Sequence, residues 1–319
     1  MHKGDRHLLP ITANCDVPIL LIGYKRADLL VKRLEEIAQM GECRVFVSLD
    51  GIYTLEDKSI DHKIMNLRRE IVNSYSKRLR LTLWESKTNL GLTKNVTESI
   101  SRVFETEQEL LIIEDDISIS GRTYHALKAM LSREPTDSVK VVCLFTPWTK
   151  PRNILKYQLP KNRWRNTRYF SPWGWYVKRD IWMKYSTKLP FDYILKLEKS
   201  STWSALPVQH KNVWLSRFKK VADNSLFTWD YQFQYLVFVE NIKIISPIYR
   251  LVENEGFNDP RSTNTKAKKP WWMRSKLDEQ NYDIVGMNYS SFVEVFLRVI
   301  EENTIVGTGL IFRLKARMK

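Results

Sequence analysis

Apolar residues along this chain fall into short unbroken runs separated by longer stretches at helical spacing, and the alternation repeats. Val17 to Gly23 (Val-Pro-Ile-Leu-Leu-Ile-Gly) is almost wholly apolar, the pattern of a strand buried on both faces. Leu30, Leu34 and Ile37 then share one face of a helix that Gly41 ends. A second strand over residues 44–49 runs into Asp50-Gly51. Residues 56–78 are polar with Ile64, Leu67 and Ile71 at helical spacing, and Leu79 to Trp84 reads as a third strand. After an Asn89-Leu90-Gly91 turn, Val96, Ile100, Val103 and Phe104 form a helical stripe. Leu110 to Ile113 is again fully apolar and breaks at once into Glu114-Asp115-Asp116. A short helix (Tyr124, Leu127, Leu131) and a fifth strand over 139–145 follow. Strands alternating with helices predict an α/β fold: a doubly wound, mostly parallel central sheet with helices on both faces.

The second half is less regular. Residues 147–172 read as basic and loop-rich, and Ser171 to Tyr176 as a tight aromatic turn ahead of another helix. Phe227 to Asn241 is apolar on most faces, which predicts a largely buried helix, and Ile242 to Tyr249 a strand. Residues 253–276, rich in Asn, Lys and Pro, predict a mobile loop. Helices are expected over 291–302 and 305–318; in the latter Val306, Leu310, Leu314 and Met318 lie at intervals of four beside basic residues. The expected organisation is one domain over 1–276, with halves 17–145 and 146–276, and a C-terminal basic amphipathic extension over 277–319.

Composition narrows the class. With 319 residues, 43% of them hydrophobic and 27% charged, the chain can bury a large core and is not of disordered type. A formal charge of +15 points to anionic partners: nucleotide-linked substrates, lipid or nucleic acid. The excess is concentrated between Ser138 and Arg179, which holds ten Lys and Arg and no acid. Three separated cysteines (Cys15, Cys43, Cys143) without a CxxC pair argue against a disulfide framework and for a reducing cytoplasm. The five histidines lack ligand spacing, no run is long enough for a membrane span, and the charged N-terminus is not the pattern of a secretory signal.

The acid triplet carries the chemistry. It follows a buried strand, at the end where open α/β sheets bind ligands. Adjacent carboxylates repel, and a hard divalent ion shared with a substrate phosphate resolves the conflict. In that arrangement Asp116 binds the metal, and Asp115 contacts a ribose hydroxyl or reaches the metal through water. Other candidates carry two readings each. Asp50 either accepts from a nucleobase or ribose, or caps a strand-to-turn junction. Arg26 either meets a base or phosphates, or is a solvated cation at a helix start, where the helix dipole disfavours it. Asn89 and Lys94 flank a glycine turn ahead of a helix, where Lys94 meets phosphate. Asp230, amid Phe227, Trp229, Tyr231 and Phe233, either caps a helix or acts as a base. No GxGxxG or Walker lysine motif is present, so hydride and phosphoryl transfer lack their signatures.

Seven pieces then line up in order across residues 17 to 265: Pro18 to Arg26, Val47-Ser48-Leu49-Asp50-Gly51, Asn89-Leu90-Gly91, Glu114-Asp115-Asp116, Trp173-Gly174-Trp175, Thr228-Trp229-Asp230, and Asn254-Glu255-Gly256-Phe257 with Thr263-Asn264-Thr265. In these the chain resembles metal-dependent glycosyltransferases of the GT-A fold. It is most similar to the bacterial nucleotide-diphospho-sugar transferases labelled hemolytic-protein-like, and more distantly to the N-acetylglucosaminyltransferase that begins complex N-glycan branching. The resemblance implies a nucleotide-binding half over 17–145 and an acceptor half over 146–276. It implies that Arg26 and Asp50 contact the nucleoside, Asp115 the ribose, and Asp116 a Mn²⁺ (or Mg²⁺) on the diphosphate. Asp230 stands where the family carries its base, although the distant branch has two acids there and this chain has Tyr231 second. Trp173, Gly174 and Trp175 would wall the sugar and acceptor sites. The implied activity is transfer, with inversion, of a hexosyl or N-acetylhexosaminyl group from a nucleotide-diphospho-sugar to a saccharide or lipid-linked glycan in bacterial surface polysaccharide synthesis. The basic tail would rest on the anionic inner membrane face, or else pack on the domain. A nucleic-acid-binding protein, and an enzyme of the same fold that makes or hydrolyses sugar nucleotides, are the alternatives; the acid cluster repels a phosphate backbone and speaks against the first.

Overall fold

The computed structural model describes residues 16–52, 58–135, 138–147, 164–247, 249–257 and 259–262. The basic stretch over 148–163, Thr263-Asn264-Thr265, Trp271, Trp272 and the helices expected within 277–319 lie outside the described residues.

Four parallel strands form one side of the sheet: β3 (Arg80–Glu85), β2 (Arg44–Leu49), β1 (Ile19–Gly23) and β4 (Glu109–Glu114). The sheet continues through β8 (Trp175–Lys178), β6 (Val141–Cys143), β9 (Ile244–Pro247) and β7 (Trp164–Thr167). β8 is antiparallel to both β4 and β6, and β7 is antiparallel to β9, so the other six strands run the same way. Two short strands, β5 (Ile117–Ile119) and β10 (Val252–Asn254), pair antiparallel beside the end of β4.

Both faces of the central strands are covered, which is why their sequences are continuously apolar rather than alternating. In β1, Ile19 and Leu21 pack on one side and Leu20 and Ile22 on the other; in β4, Leu111 and Ile113 oppose Leu110 and Ile112 in the same way. The first face is closed by α1 (Ala27–Ala38), α2 (Lys58–Ser74) and α4 (Gly121–Arg133), through Leu30, Leu34, Val72 and Leu127. The second is closed by α3 (Leu92–Val103), the short α5 (Arg179–Trp182) and α9 (Asp230–Val239), through Val96, Ile100, Trp182 and Phe233. Against the outer side of α9, α6 (Tyr193–Glu198), α7 (Ser201–Ser204) and α8 (Val208–Ala222) build a smaller aromatic core around Trp203, Trp214, Phe218 and Phe238. Among the described residues six of eight tryptophans are buried, so those tryptophans serve packing.

Three expectations are corrected. The Trp-Gly-Trp segment leads into β8, an antiparallel strand in mid-sheet, before the helix α5; a four-residue strand gives too short a periodic signal to separate from a turn. In α2 the apolar stripe is out of phase: Leu67 is 48% exposed whereas Arg68 is 1% exposed. The segment expected to be a mobile loop begins with β10 and is pinned through residue 261. Glu255 pairs with Lys32 and Arg33 of α1, and Arg261 pairs with Asp28. Among the described residues no helix is long and apolar enough to cross a membrane.

Candidate functional site

The chain leaves β1 toward β2 and β3 on one side and returns to β4 on the other, so the topology reverses between β1 and β4. In open α/β sheets the crevice beyond the carboxyl ends at such a point is where ligands bind. The loop after β1 there meets the acids that end β4. The amide of Asp115 donates to the carbonyl of Ile22 (2.9 Å), carrying the strand pairing one residue past Glu114, and the amide of Tyr24 donates to Asp115 Oδ2 (3.2 Å).

Arg26 binds both acids. Its Nη2 donates to Asp115 Oδ1, and its Nη1 donates to Asp116 Oδ2 at 3.1 Å. The side chain is only 11% exposed and those of the acids 3% and 9%, so the cluster is screened little by solvent. Burial raises all three acids. The Asp115 carboxyl is pushed up to about 6 by desolvation, against the pull of Arg26. Asp116 is raised by desolvation, again opposed by Arg26. Glu114 is pushed well above the carboxylate range by desolvation and by repulsion from Asp116, Asp115 and, more weakly, Asp230. That last repulsion brings Asp230, far away in sequence, within electrostatic reach of Glu114.

Two buried arginines, absent from the sequence expectations, shape the cleft. Arg68, on α2, donates from Nη1 to the carbonyls of Tyr24 and Asp50 (3.0 Å to Asp50), and its Nη2 lies 3.6 Å from Glu85. One side chain thus ties together the ends of β1, β2 and β3. Arg33, wholly buried on α1, pairs with Glu36 and Glu255. The amide of Glu255 in turn donates to the Asp116 carbonyl at 2.7 Å. The sequence signal for Arg33 exists, since it lies between Leu30, Leu34 and Ile37 on the inward face. A cation on a buried stripe is expensive without a partner, which marks the position.

Asp50 resolves as the turn clamp. Oδ1 accepts from the amides of Gly51 (2.8 Å) and Leu90 (2.7 Å), and Oδ2 from that of Gly91 (3.0 Å). Asn89 completes the clamp by donating from Nδ2 to the Gly51 carbonyl (2.8 Å). Gly51 has no alternative, because a Cβ there would stand 2.3 Å from the Thr88 backbone. Lys94 is exposed on α3, 3.7 Å from Glu98. Trp173 is partly buried and packs edge-on against Phe145 and Phe257, beside the acid edge. Gly174, at φ +67°, lets the chain pass Val252 and Ile117 closely. Trp175 does not line a sugar site: it is fully buried, stacked on Trp229 and packed against Phe170 and Phe233. Gly174, at φ +67°, breaks the extended backbone between the two indoles, so Trp175 packs on one face of the sheet and Trp173 on the other.

Asp230 opens α9. Its carboxyl Oδ1 accepts from the Thr228 hydroxyl, and its pKa is raised by desolvation, with Thr228 and backbone amides opposing. Tyr185 lies beside it and donates to the Trp229 carbonyl (3.1 Å). Gln232 ties the two flanks by donating to the carbonyls of Thr187 (3.0 Å) and Thr228 (2.7 Å).

The donors at the β4 end are all oxygens, which suits a hard cation such as Mn²⁺ or Mg²⁺. Among the described residues no group of three or more His, Cys, Asp or Glu side chains forms a cage.

No known protein-family model matches the chain, and no curated protein matches it. Solved structures with a similar course of the chain include the apo-form glycosyltransferase GlyE of Streptococcus pneumoniae TIGR4, at 10% identity and TM-score 0.32, matching 72% of this chain and 44% of that one. This chain therefore spans less than half of GlyE. A UDP-glucose pyrophosphorylase from Acinetobacter baumanii matches at 12% identity and TM-score 0.33, over 75% and 88% of the two chains. A UDP-glucose pyrophosphorylase complexed with UDP-glucose matches at 10% identity and TM-score 0.33, over 73% and 90%. Likeness at this level carries no argument about activity, and the functional reading rests on the residues of the site.

Proposed function

We propose that this protein is a metal-dependent glycosyltransferase that takes a sugar from a nucleotide-diphospho-sugar to a saccharide hydroxyl. What supports the reading is a pair of carboxylates bound by Arg26 at the topological switch point, together with a separate, desolvated carboxylate, Asp230, at the start of α9 within electrostatic reach of Glu114.

The work divides between these two stations. Asp116, with Asp115 beside it, would hold the cation, which when bound neutralises the diphosphate leaving group as a Lewis acid. The clamp made by Asp50 and Asn89 fixes the Leu90-Gly91 turn at the start of α3, and Arg68 holds the β1, β2 and β3 ends in register around the nucleotide. Asp230 takes the proton from the acceptor hydroxyl as that oxygen attacks the anomeric carbon. Its raised pKa suits this role, because a base more basic than an ordinary Asp pulls harder on the proton. A single displacement of this type inverts the anomeric centre. Trp173, half-buried against Phe145 and Phe257, offers an aromatic face to a sugar.

An enzyme of the same fold that makes sugar nucleotides would use the first station and have no acceptor hydroxyl to deprotonate, whereas one that hydrolyses them would turn Asp230 on water. The decisive experiment screens nucleotide sugars with Mn²⁺ by thermal shift, then follows product with and without saccharide acceptors. Asp116→Ala must abolish the Mn²⁺-dependent stabilisation by nucleotide sugar. Unchanged stabilisation overturns the metal station, and acceptor-independent product overturns transfer.

A further inference from the structure

We propose that the outward side of α6 and of the turn leading into it, formed by Phe191, Ile194 and Leu195, docks on an anionic lipid bilayer.

Exposed hydrophobic residues are unevenly spread over this molecule. Among the described residues nine large hydrophobic side chains are exposed, and six of them fall between residues 183 and 227, the span that holds α6, α7 and α8. Every one of the nine that is more than half exposed lies in that span. Single apolar residues scattered over a surface are ordinary, whereas a concentration of them marks a place of contact.

Local geometry sets three of the six side by side. The amide of Tyr193 donates to the Pro190 carbonyl (3.1 Å) and that of Lys196 to the Asp192 carbonyl (3.1 Å), so the turn before α6 already winds with the helix. Tyr193 and Leu197, four apart, pack inward on the aromatic core. Phe191, Ile194 and Leu195, at spacings of three and four, take the opposite side, and Phe191 is fully exposed. A helix that is apolar all round belongs between two apolar media. The core of α8 and α9 supplies the inner one.

Two properties select a bilayer as the outer one. Phe191 protrudes: a rigid protein partner needs a pocket shaped to such a ring, whereas the fluid boundary between headgroups and acyl chains admits it without one. The span from 183 to 227 is also cationic, with eight Lys and Arg against three acids. Around the apolar stripe Asp192 is paired with Lys196 at 3.4 Å, Glu198 adjoins Lys199 in the chain, and Lys188 lies three residues before Phe191; all three lysines are exposed. Such side chains lay their stems on apolar surface while their ammonium groups reach lipid phosphates. The exposure extends to the segments beside Asp230. Phe227, 86% exposed, directly precedes Thr228, and Met183 stands two residues before Tyr185, whose hydroxyl donates to the Trp229 carbonyl. Gln232 ties these two segments together through the carbonyls of Thr187 and Thr228.

The test is sedimentation of the full chain with vesicles of phosphatidylcholine containing about one third phosphatidylglycerol, against vesicles of phosphatidylcholine alone. The wild-type chain is expected to sediment with the anionic vesicles and to stay in solution with the neutral ones. Phe191→Ser combined with Leu195→Ser is expected to weaken anionic-vesicle binding by about tenfold or more, since two apolar side chains no longer leave water. Phe191→Trp, which keeps a ring suited to the interface, is expected to bind at least as well as the wild-type chain. The serine variant should melt at the wild-type temperature without vesicles and keep the wild-type size on gel filtration. Equal binding by the serine variant and the wild-type chain means that charge elsewhere holds the vesicle, and overturns the proposal. So does a lowered melting temperature, which places these residues in contacts within the chain, or a change of size, which makes a second copy their partner. Equal binding to neutral vesicles overturns the anionic surface. Neither Asp230 nor a nucleotide sugar takes part in this experiment, so its failure leaves the transferase reading standing.

Discussion

The two acidic stations are held in opposite ways. At the end of β4, Asp115 and Asp116 are countered by a full cation, Arg26, delivered by the loop after β1. At the start of α9, Asp230 has only the Thr228 hydroxyl and nearby amides, and Arg217 acts on it more weakly still. Both are desolvated and both are raised, but for different ends. A station balanced by a full cation is suited to hold negative charge in place. A station held by a neutral donor keeps its proton affinity high and is suited to move a proton. Charge balance, more than the presence of acids, separates the two stations in this molecule.

Removing the base is the largest break available. Asp230→Asn is expected to lower transfer by about 10²–10⁴-fold while nucleotide-sugar binding persists, measured by turnover beside a thermal shift with donor. The same variant should not lose stability. A folded carboxyl whose pKa lies above its unfolded value is stabilised by protonation, so its contribution is full below the ordinary Asp range and is lost as pH rises through the raised folded value. At neutral pH Asp230→Asn should therefore melt no lower than the wild-type chain, and a lower melting temperature would sink the account of Asp230 as a desolvated, uncompensated acid.

Next in size is the frame of the first station. Arg68→Met leaves the carbonyls of Tyr24 and Asp50 without their buried donor and removes a cation 3.6 Å from Glu85, whose carboxylate keeps Arg69, and should cost about 2–4 kcal/mol in chemical denaturation. A loss below about 1 kcal/mol would show that the three strand ends do not depend on it. Asp50→Ala removes the acceptor for three backbone amides and should cost about 1–3 kcal/mol, with nucleotide-sugar affinity falling alongside stability because α3 loses its anchor.

The smallest effect sharpens the contrast most. Thr228→Val deletes the donor that favours the ionised Asp230, so the folded pKa rises further. Since the base works only when deprotonated, the acid limb of the rate profile should move to higher pH with the plateau rate little changed. A limb that stays in place would mean that another group sets it.

How much of this was legible beforehand depends on the length scale of the signal. The strands β1 to β4 and the helices α1, α3 and α9 were visible because burial on both faces, or on one helical stripe, repeats often enough to average out exceptions. The strands β5, β7, β8 and β10 are three or four residues long, too short for any period to register. In α2 the period itself misled, since Arg68 takes a core position and Leu67 the solvent; the hydrophobic pattern fails at a position that ties three strand ends together. The same failure hid Arg33. Trp175 was misread for a different reason. A Trp-Gly-Trp sequence does not say which indole the strand turns inward, and burial against Trp229 chose for it.

The sequence by itself determined the layered α/β architecture and the acid triplet at the end of a buried strand, because both are written in adjacent residues whose spacing obeys local geometry. It did not determine which cation balances those acids, whether Asp50 faces a ligand or its own turn, or that Asp230 comes within electrostatic reach of Glu114. Those relations join residues separated by tens to more than a hundred positions. Only the strand order, which folds β1 against β4 and lays α9 across the far face, sets the distances on which their charges act.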